Sequence, residues 1–115
     1  MTQKHPHRIR STIRMLVPLI MQSEALQILE SVRAQTQSDS GCIHCVLYRG
    51  VDDVRAIMLD ELWAEEDNLI RHLRSELFKR VLLAIEMAEE PPEVRFEKIK
   101  QTSGIEIIKK ARMPH

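Results

Sequence analysis

Three groups of residues in this chain have the types and spacing to do chemistry. The first is Gly41-Cys-Ile-His-Cys45, which gathers both cysteines around His44. A Cys-x-x-Cys pair serves thiol redox or metal binding when its sulfurs converge, as at helix N-termini. The second is His72 with Trp63. An imidazole titrates near working pH and suits a general base, and an indole offers a flat wall for an aromatic substrate. The third is Tyr48 with His44, a pair able to hydrogen-bond a phenolic hydroxyl. Each has a structural alternative: Trp63 as a core anchor, His72 as a solvated helix-rim residue between Arg71 and Arg74, and Tyr48 and His44 as packing between two copies of the chain. Arg10, Arg14 and Arg55 would neutralise an anionic substrate if they converged. Otherwise they make surface pairs worth about 0–1 kcal/mol each.

Which of these groups can act together depends on the elements that carry them. From Arg8 to Val17 the pattern alternates, with Ile9, Ile13, Met15 and Val17 on one side and Arg8, Arg10, Thr12 and Arg14 on the other. This is the period of a half-buried strand, and Pro18 ends it. Ser23 is placed to cap a helix through Ala25, Leu26, Leu29 and Val32, which the polar cluster Gln35 to Gly41 stops. Cys42 to Arg49 forms a second strand, Gly50 to Asp53 a turn, and Val54 to Trp63 a third strand with apolar residues on both faces. Leu69, Leu73, Leu77, Val81, Leu82 and Ile85 then predict one long helix over Glu65 to Ala88, closed off by Pro91-Pro92. Glu93 to Ile99 is a fourth strand. Ser103 to Glu106 has capping-box spacing for a short terminal helix.

The order β-α-β-β-α-β predicts an α+β, ferredoxin-like fold: a split β-α-β with a four-stranded antiparallel sheet. Residues 1–7 are expected to be a disordered tail, 8–99 the domain, and 100–115 a C-terminal extension. Two helices cover one face of such a sheet. Strands two and three are apolar on both faces, so a partner sheet from a second copy is expected on the other, giving a homodimer. On a regular strand Cys42, His44 and Tyr48 share one face, and Cys45 points the other way with Ile43 and Leu47. The two cysteine Cα atoms then stand roughly 10 Å apart, beyond the ~7 Å limit for a disulfide. The Cys-His-Cys stretch therefore opens a strand and is not expected to be a redox pair.

Composition narrows the function classes. The 17 basic and 17 acidic residues cancel, and aromatics make up only 3%. Neither a basic field nor a stacking platform for nucleic acid is expected. Lys4, Arg8, Arg10 and Arg14 before the apolar run 15–21 mimic a signal peptide, but Pro18 breaks the run and no small-x-small site follows. No stretch reaches the ~20 apolar residues of a membrane span. A soluble cytoplasmic protein with free thiols is expected. No Gly-rich phosphate loop, Ser/His/Asp order or metal-ligand spacing stands out, so no metal or other cofactor is expected.

Between Arg8 and Ile99 the chain resembles the antibiotic biosynthesis monooxygenase domains, which include quinol monooxygenases. The resemblance rests on Ser38-Asp-Ser-Gly-Cys42, Leu59-Asp-Glu-Leu-Trp63, Leu69-Ile-Arg-His-Leu73, Ser75-Glu-Leu-Phe78 and Pro91-Pro-Glu-Val-Arg95, in that order. It implies a homodimer with facing sheets (the dimeric α/β barrel) and a small apolar pocket between helices and sheet in each subunit. It further implies oxidation of an electron-rich aromatic or quinol by O₂ without metal or flavin. On that model His72, Trp63 and His44 are the candidate catalytic residues, and Tyr48, Phe78 and Trp63 line the substrate pocket. The chain departs from the family pattern at Leu77, where a histidine is common, and at Glu65, where a serine is. Haem-degrading relatives use an asparagine on the first strand, whereas the only asparagine here, Asn68, falls in the second helix, which disfavours haem. The alternative to an enzyme is a dimeric module that binds or senses a small apolar or aromatic molecule. A purely structural dimer serving a neighbouring enzyme is a third reading.

Overall fold

Strand β1, Arg8–Leu16, alternates buried with partly exposed residues, and Ile9, Ser11, Ile13 and Met15 form its inward row. Successive strand side chains leave opposite faces, so the apolar parity of the sequence sets which row is buried. The computed structural model describes residues 7–114, and positions 1–6 of the expected tail lie outside them. Helix α1, Leu19–Gln37, begins directly after Pro18 rather than at Ser23. Proline costs nothing at a helix start, where its missing N–H would have no partner, and the Pro18 carbonyl accepts from Met21 N. Ser23 lies inside the first turns. The Gln22 amide ties the helix start to the Val17 and Val54 carbonyls.

Strands β2, Cys42–Arg49, and β3, Ala56–Trp63, form a hairpin closed by Gly50 N donating to the Ala56 carbonyl. The predicted single helix over Glu65 to Ala88 is two helices, α2 (Glu66–Leu73) and α3 (Glu76–Glu86). Ser75 makes the break. Its hydroxyl donates to the His72 carbonyl at 2.6 Å and accepts from Phe78 N at 3.2 Å, ending one helix and capping the next. The stripe is re-phased as a result. Leu69 and Val81 are buried as predicted, but Leu82 is exposed and Ala84 takes its place inside. Strand β4, Glu93–Ile99, completes the sheet, and α4, Glu106–Arg112, follows. The Glu106 side chain accepts from Gly104 N at 2.6 Å, but Ile105, not Ser103, sits at the cap position.

The sheet is antiparallel throughout, in the order β2-β3-β1-β4. This is the α+β, ferredoxin-like arrangement. The helices cover one face, where Ile13, Met15, Leu29, Val32, Ile57, Leu59 and Val81 build the main core. A smaller cluster of Ile9, Trp63 and Leu69 closes the end under α2. The other face carries Arg10, Thr12, Arg14, His44, Tyr48, Met58 and Asp60, and no helix among the described residues covers it. Among the described residues no helix is long and apolar enough to cross a membrane.

Candidate functional site

On β3, Ile57, Leu59, Glu61 and Trp63 share the inward parity, so a carboxyl group enters the row that builds the core. Glu61 is 1% exposed. In register with it stand Ser11 on β1 and Cys45 on β2. Its side chain is engaged on three sides. Trp63 Nε1 donates to Oε1 at 3.1 Å, and Cys45 Sγ donates to Oε2 at 3.8 Å. His72 Nε2 approaches Oε2 at 3.3 Å. This last contact is close but misaligned, and Nε2 makes no hydrogen bond. Buried polar groups are normally paired, so Glu61 organises the polar centre of the helix-covered face.

The amphipathic turn of α2 that buries Leu69 also brings His72 inward, leaving it 5% exposed rather than on a solvated rim. Its ring lies 4.9 Å from that of Trp63 and meets Phe78 edge-on at 5.5 Å. Phe78 lies in the first turn of the helix that Ser75 restarts after the break. The imidazole is thus held between two aromatic rings with a carboxyl group behind it. Trp63 itself is fully buried, packed under α2 with Ile9 and Leu69.

A cavity of about 240 Å³ opens over this cluster between the end of α1 and the α2–α3 junction. Thr36, Asp39, Arg71, His72, Ser75 and Leu77 line it. Asp39 and Arg71 pair across one wall at 2.9 Å. Thr36 Oγ1 is buried there without a hydrogen-bond partner. The void exceeds the ~150 Å³ of an engineered cavity that accepts benzene. It falls short of the ~300–1,000 Å³ typical of drug-sized sites. Its volume is on the scale of one substituted ring, it is open to solvent on one side, and a hydroxyl and an imidazole line its walls.

The remaining expected site residues lie elsewhere. His44 and Tyr48 sit on the uncovered face, where His44 Nε2 is 3.6 Å from Asp60 Oδ2 and Arg10 Nε is 3.4 Å from Asp60 Oδ1. Tyr48 and Arg14 border a separate hollow of about 190 Å³ on that face. Tyr48 therefore lies apart from Phe78 and Trp63, and those two rings stand behind His72 rather than among the residues lining the 240 Å³ cavity. Cys42 does not share His44's face either. A bulge at Ile43 sets Cys42 against Trp63 and His44 against Leu62, turning Cys42 to the inner side with Cys45 and pushing Ile43 outward. Both cysteines are free. Burial, reinforced by the nearby Glu61 carboxyl, raises the Cys42 thiol to about 11 and pushes Cys45 up as well. Thiols held protonated are poor nucleophiles. Arg55 pairs with Asp53 and Glu89, and Arg14 with Glu93, so the arginines do not converge on one anion. Among the described residues no three His, Cys, Asp or Glu side chains form a metal-holding group.

Glu61 is the residue that sequence reasoning passed over. Its signal was its parity with Ile57, Leu59 and Trp63, a charged side chain in an otherwise apolar row.

The model of one protein family, antibiotic biosynthesis monooxygenase, matches residues 12–82. Solved structures agree in fold. A conserved protein from Methanosarcina mazei is 24% identical, with a TM-score of 0.76 over 82% of this chain and 94% of its own. A Deinococcus radiodurans protein, provisionally named an antibiotic biosynthesis monooxygenase, is 12% identical, with a TM-score of 0.77 over 84% and 97%. A Bacteroides thetaiotaomicron protein of unknown function, described as a possible oxidoreductase, is 19% identical, with a TM-score of 0.69 over 81% and 96%. No curated protein matches the chain in sequence.

Proposed function

The chain belongs to the antibiotic biosynthesis monooxygenase family, and from that premise we propose that it is a cofactor-independent monooxygenase of a small, single-ring quinol or polyphenol. One observation carries this reading: His72 sits between Trp63 and Phe78, with Glu61 behind it, at the wall of a cavity sized for one ring. His72 takes the phenolic proton as general base, the role that its position supports. Trp63 and Phe78 hold the imidazole in place, and Leu77 gives the cavity an apolar wall. Glu61 stands where it can pair with the imidazolium that forms. The ionised, electron-rich ring then reduces O₂. One oxygen atom enters the ring and the other leaves as water, while the ring C–H and O–H are converted to a quinone.

The uncovered sheet face, with Tyr48, Met58 and the Arg10–Asp60–His44 cluster, is the surface on which we place a homodimer partner. His44 and Tyr48 then serve the interface rather than the pocket.

The test is O₂ consumption with a panel of hydroquinones and catechols in metal-free buffer. Uptake by the native protein is expected to fall about a hundredfold or more in His72→Gln, within the range for a lost general base. No uptake across the panel refutes the proposal. Thermal stabilisation by a panel member without product assigns the cavity to binding alone.

A further inference from the structure

Every residue of α4 is exposed, and Ile105, Ile107 and Ile108 are 67%, 53% and 59% accessible. Isoleucine is among the most consistently buried residue types. An isolated helix this short is also unstable in water, so packing must hold it. Ile105, Ile108, Lys109 and Arg112 fall at i, i+3, i+4 and i+7 on one side of the helix, apolar at its start and basic at its end.

Helix α3 presents the complementary strip. Leu82 and Leu83 are each 48% exposed. Glu86 closes the helix, Glu89 and Glu90 follow, and no basic residue occupies its last turn. Negative charge at a helix C-terminus opposes the dipole, which favours cations there. Glu89 is paired with Arg55, whereas Glu86 and Glu90 have no ion-pair partner among the described residues.

The chain's own α4 is poorly placed to cover this strip. Glu89 N bonds the Leu16 carbonyl, fixing the end of α3 beside one end of β1, while β4 delivers Ile99 opposite Arg8 at the other end. The two ends of β1 lie roughly 26 Å apart at ~3.3 Å per residue. Residues 100–104 span at most about 18 Å and would have to reverse direction at near-full extension. A second copy carries the same strip without that constraint, and in a two-fold pair each α3 is covered once, by the other subunit's α4.

We propose that α4 docks along α3 of a second copy, parallel to it and reciprocally, with Ile105 and Ile108 on Leu82 and Leu83 and with Lys109 and Arg112 beside Glu86 and Glu90. This is a contact between the helix-covered sides of two copies, separate from the sheet-face dimer placed above, and it is independent of the monooxygenase chemistry.

Three measurements test it. Chains carrying Leu83→Cys and chains carrying Ile108→Cys are mixed and oxidised at pH 8. The native thiols stay protonated there, Cys42 being raised to about 11 and Cys45 also raised. A disulfide-linked pair should form in the mixture and in neither variant alone. By analytical ultracentrifugation, removal of residues 105–115 should raise the dimer dissociation constant about thirtyfold, given two apolar side chains lost per arm. Because no residue of α4 is buried, the truncated chain should keep its fold. Lys109→Glu with Arg112→Glu should weaken the dimer about tenfold, with recovery on adding Glu86→Lys and Glu90→Lys. An intact dimer with no cross-link and no effect of truncation overturns the α4 contact alone. A native chain that stays monomeric overturns the dimer as well. Truncation-sensitive binding to phosphatidylserine vesicles, with self-association unchanged, overturns the proposal in favour of a lipid surface.

Discussion

Trp63→Phe isolates the hydrogen bond at the centre of the buried cluster. Trp63 and Glu61 are 0% and 1% exposed, and Nε1 donates to Oε1 at 3.1 Å. Phenylalanine fills most of the same space but has no donor, so the buried acceptor is orphaned at a cost of about 1–3 kcal/mol. A residual void on the order of 40 Å³ adds about 1 kcal/mol at ~24 cal/mol per Å³. The variant should lose about 2–4 kcal/mol, lowering the urea midpoint by roughly 2 M for an m-value near 1.5 kcal/mol/M. Glu61→Leu should cost a similar amount by orphaning the indole N–H. Combined with Trp63→Phe, it removes both partners, which can be nearly neutral. The double variant should therefore be well above the sum of the singles, with a coupling energy of about 1.5 kcal/mol or more. Unfolding is followed by far-UV circular dichroism, because Trp63 is the only tryptophan. It is done at one protein concentration, because self-association shifts apparent stability. Strictly additive losses would refute the assignment of Glu61 as the acceptor that organises this site.

Further outcomes follow from single contacts. Ser75→Ala should cost about 1–2 kcal/mol in chemical denaturation, while Ser75→Asp, another good cap, should lose little. At Gly41 an added Cβ would lie 2.4–2.7 Å from the Asn68 side chain. Gly41→Ala should therefore destabilise by about 1–3 kcal/mol, with partial recovery in Gly41→Ala/Asn68→Ala measured by melting temperature. Folding raises the Cys42 thiol from 9.0 to about 11, so the folded protein holds that proton more tightly than the unfolded chain. Its stabilising contribution is complete below pH 9 and declines between pH 9 and about 11. With a discount for partial exposure this is worth about 1–2 kcal/mol. The loss of stability over that window should be smaller in Cys42→Ala than in the native protein, and equal losses would refute it.

Much of the fold was legible because local periodicity expresses it. The alternation of β1 set its buried row, the apolar spacing of Leu69 and Val81 marked helical faces, and Pro91-Pro92 marked the start of β4. The family could be reached from the order of short motifs along the chain. Tertiary structure decided the rest, for reasons outside any one segment. The bulge at Ile43 depends on how β2 meets β3, and it alone moves Cys42 from His44's side to Cys45's. Ser75 has an unremarkable place in a helical pattern until its hydroxyl finds the His72 carbonyl, and that bond turns one predicted helix into two. Sequence parity placed His44 and Tyr48 together on one strand face, but it could not say that the helices would cover the opposite face. Glu61 is the sharpest case. Its parity was visible, yet a carboxyl group belongs in a core only if partners await it, and those partners come from β2, from β3 itself and from α2. Periodicity assigns a side chain to a face; only the packing of distant elements decides whether that face is buried and what it meets there.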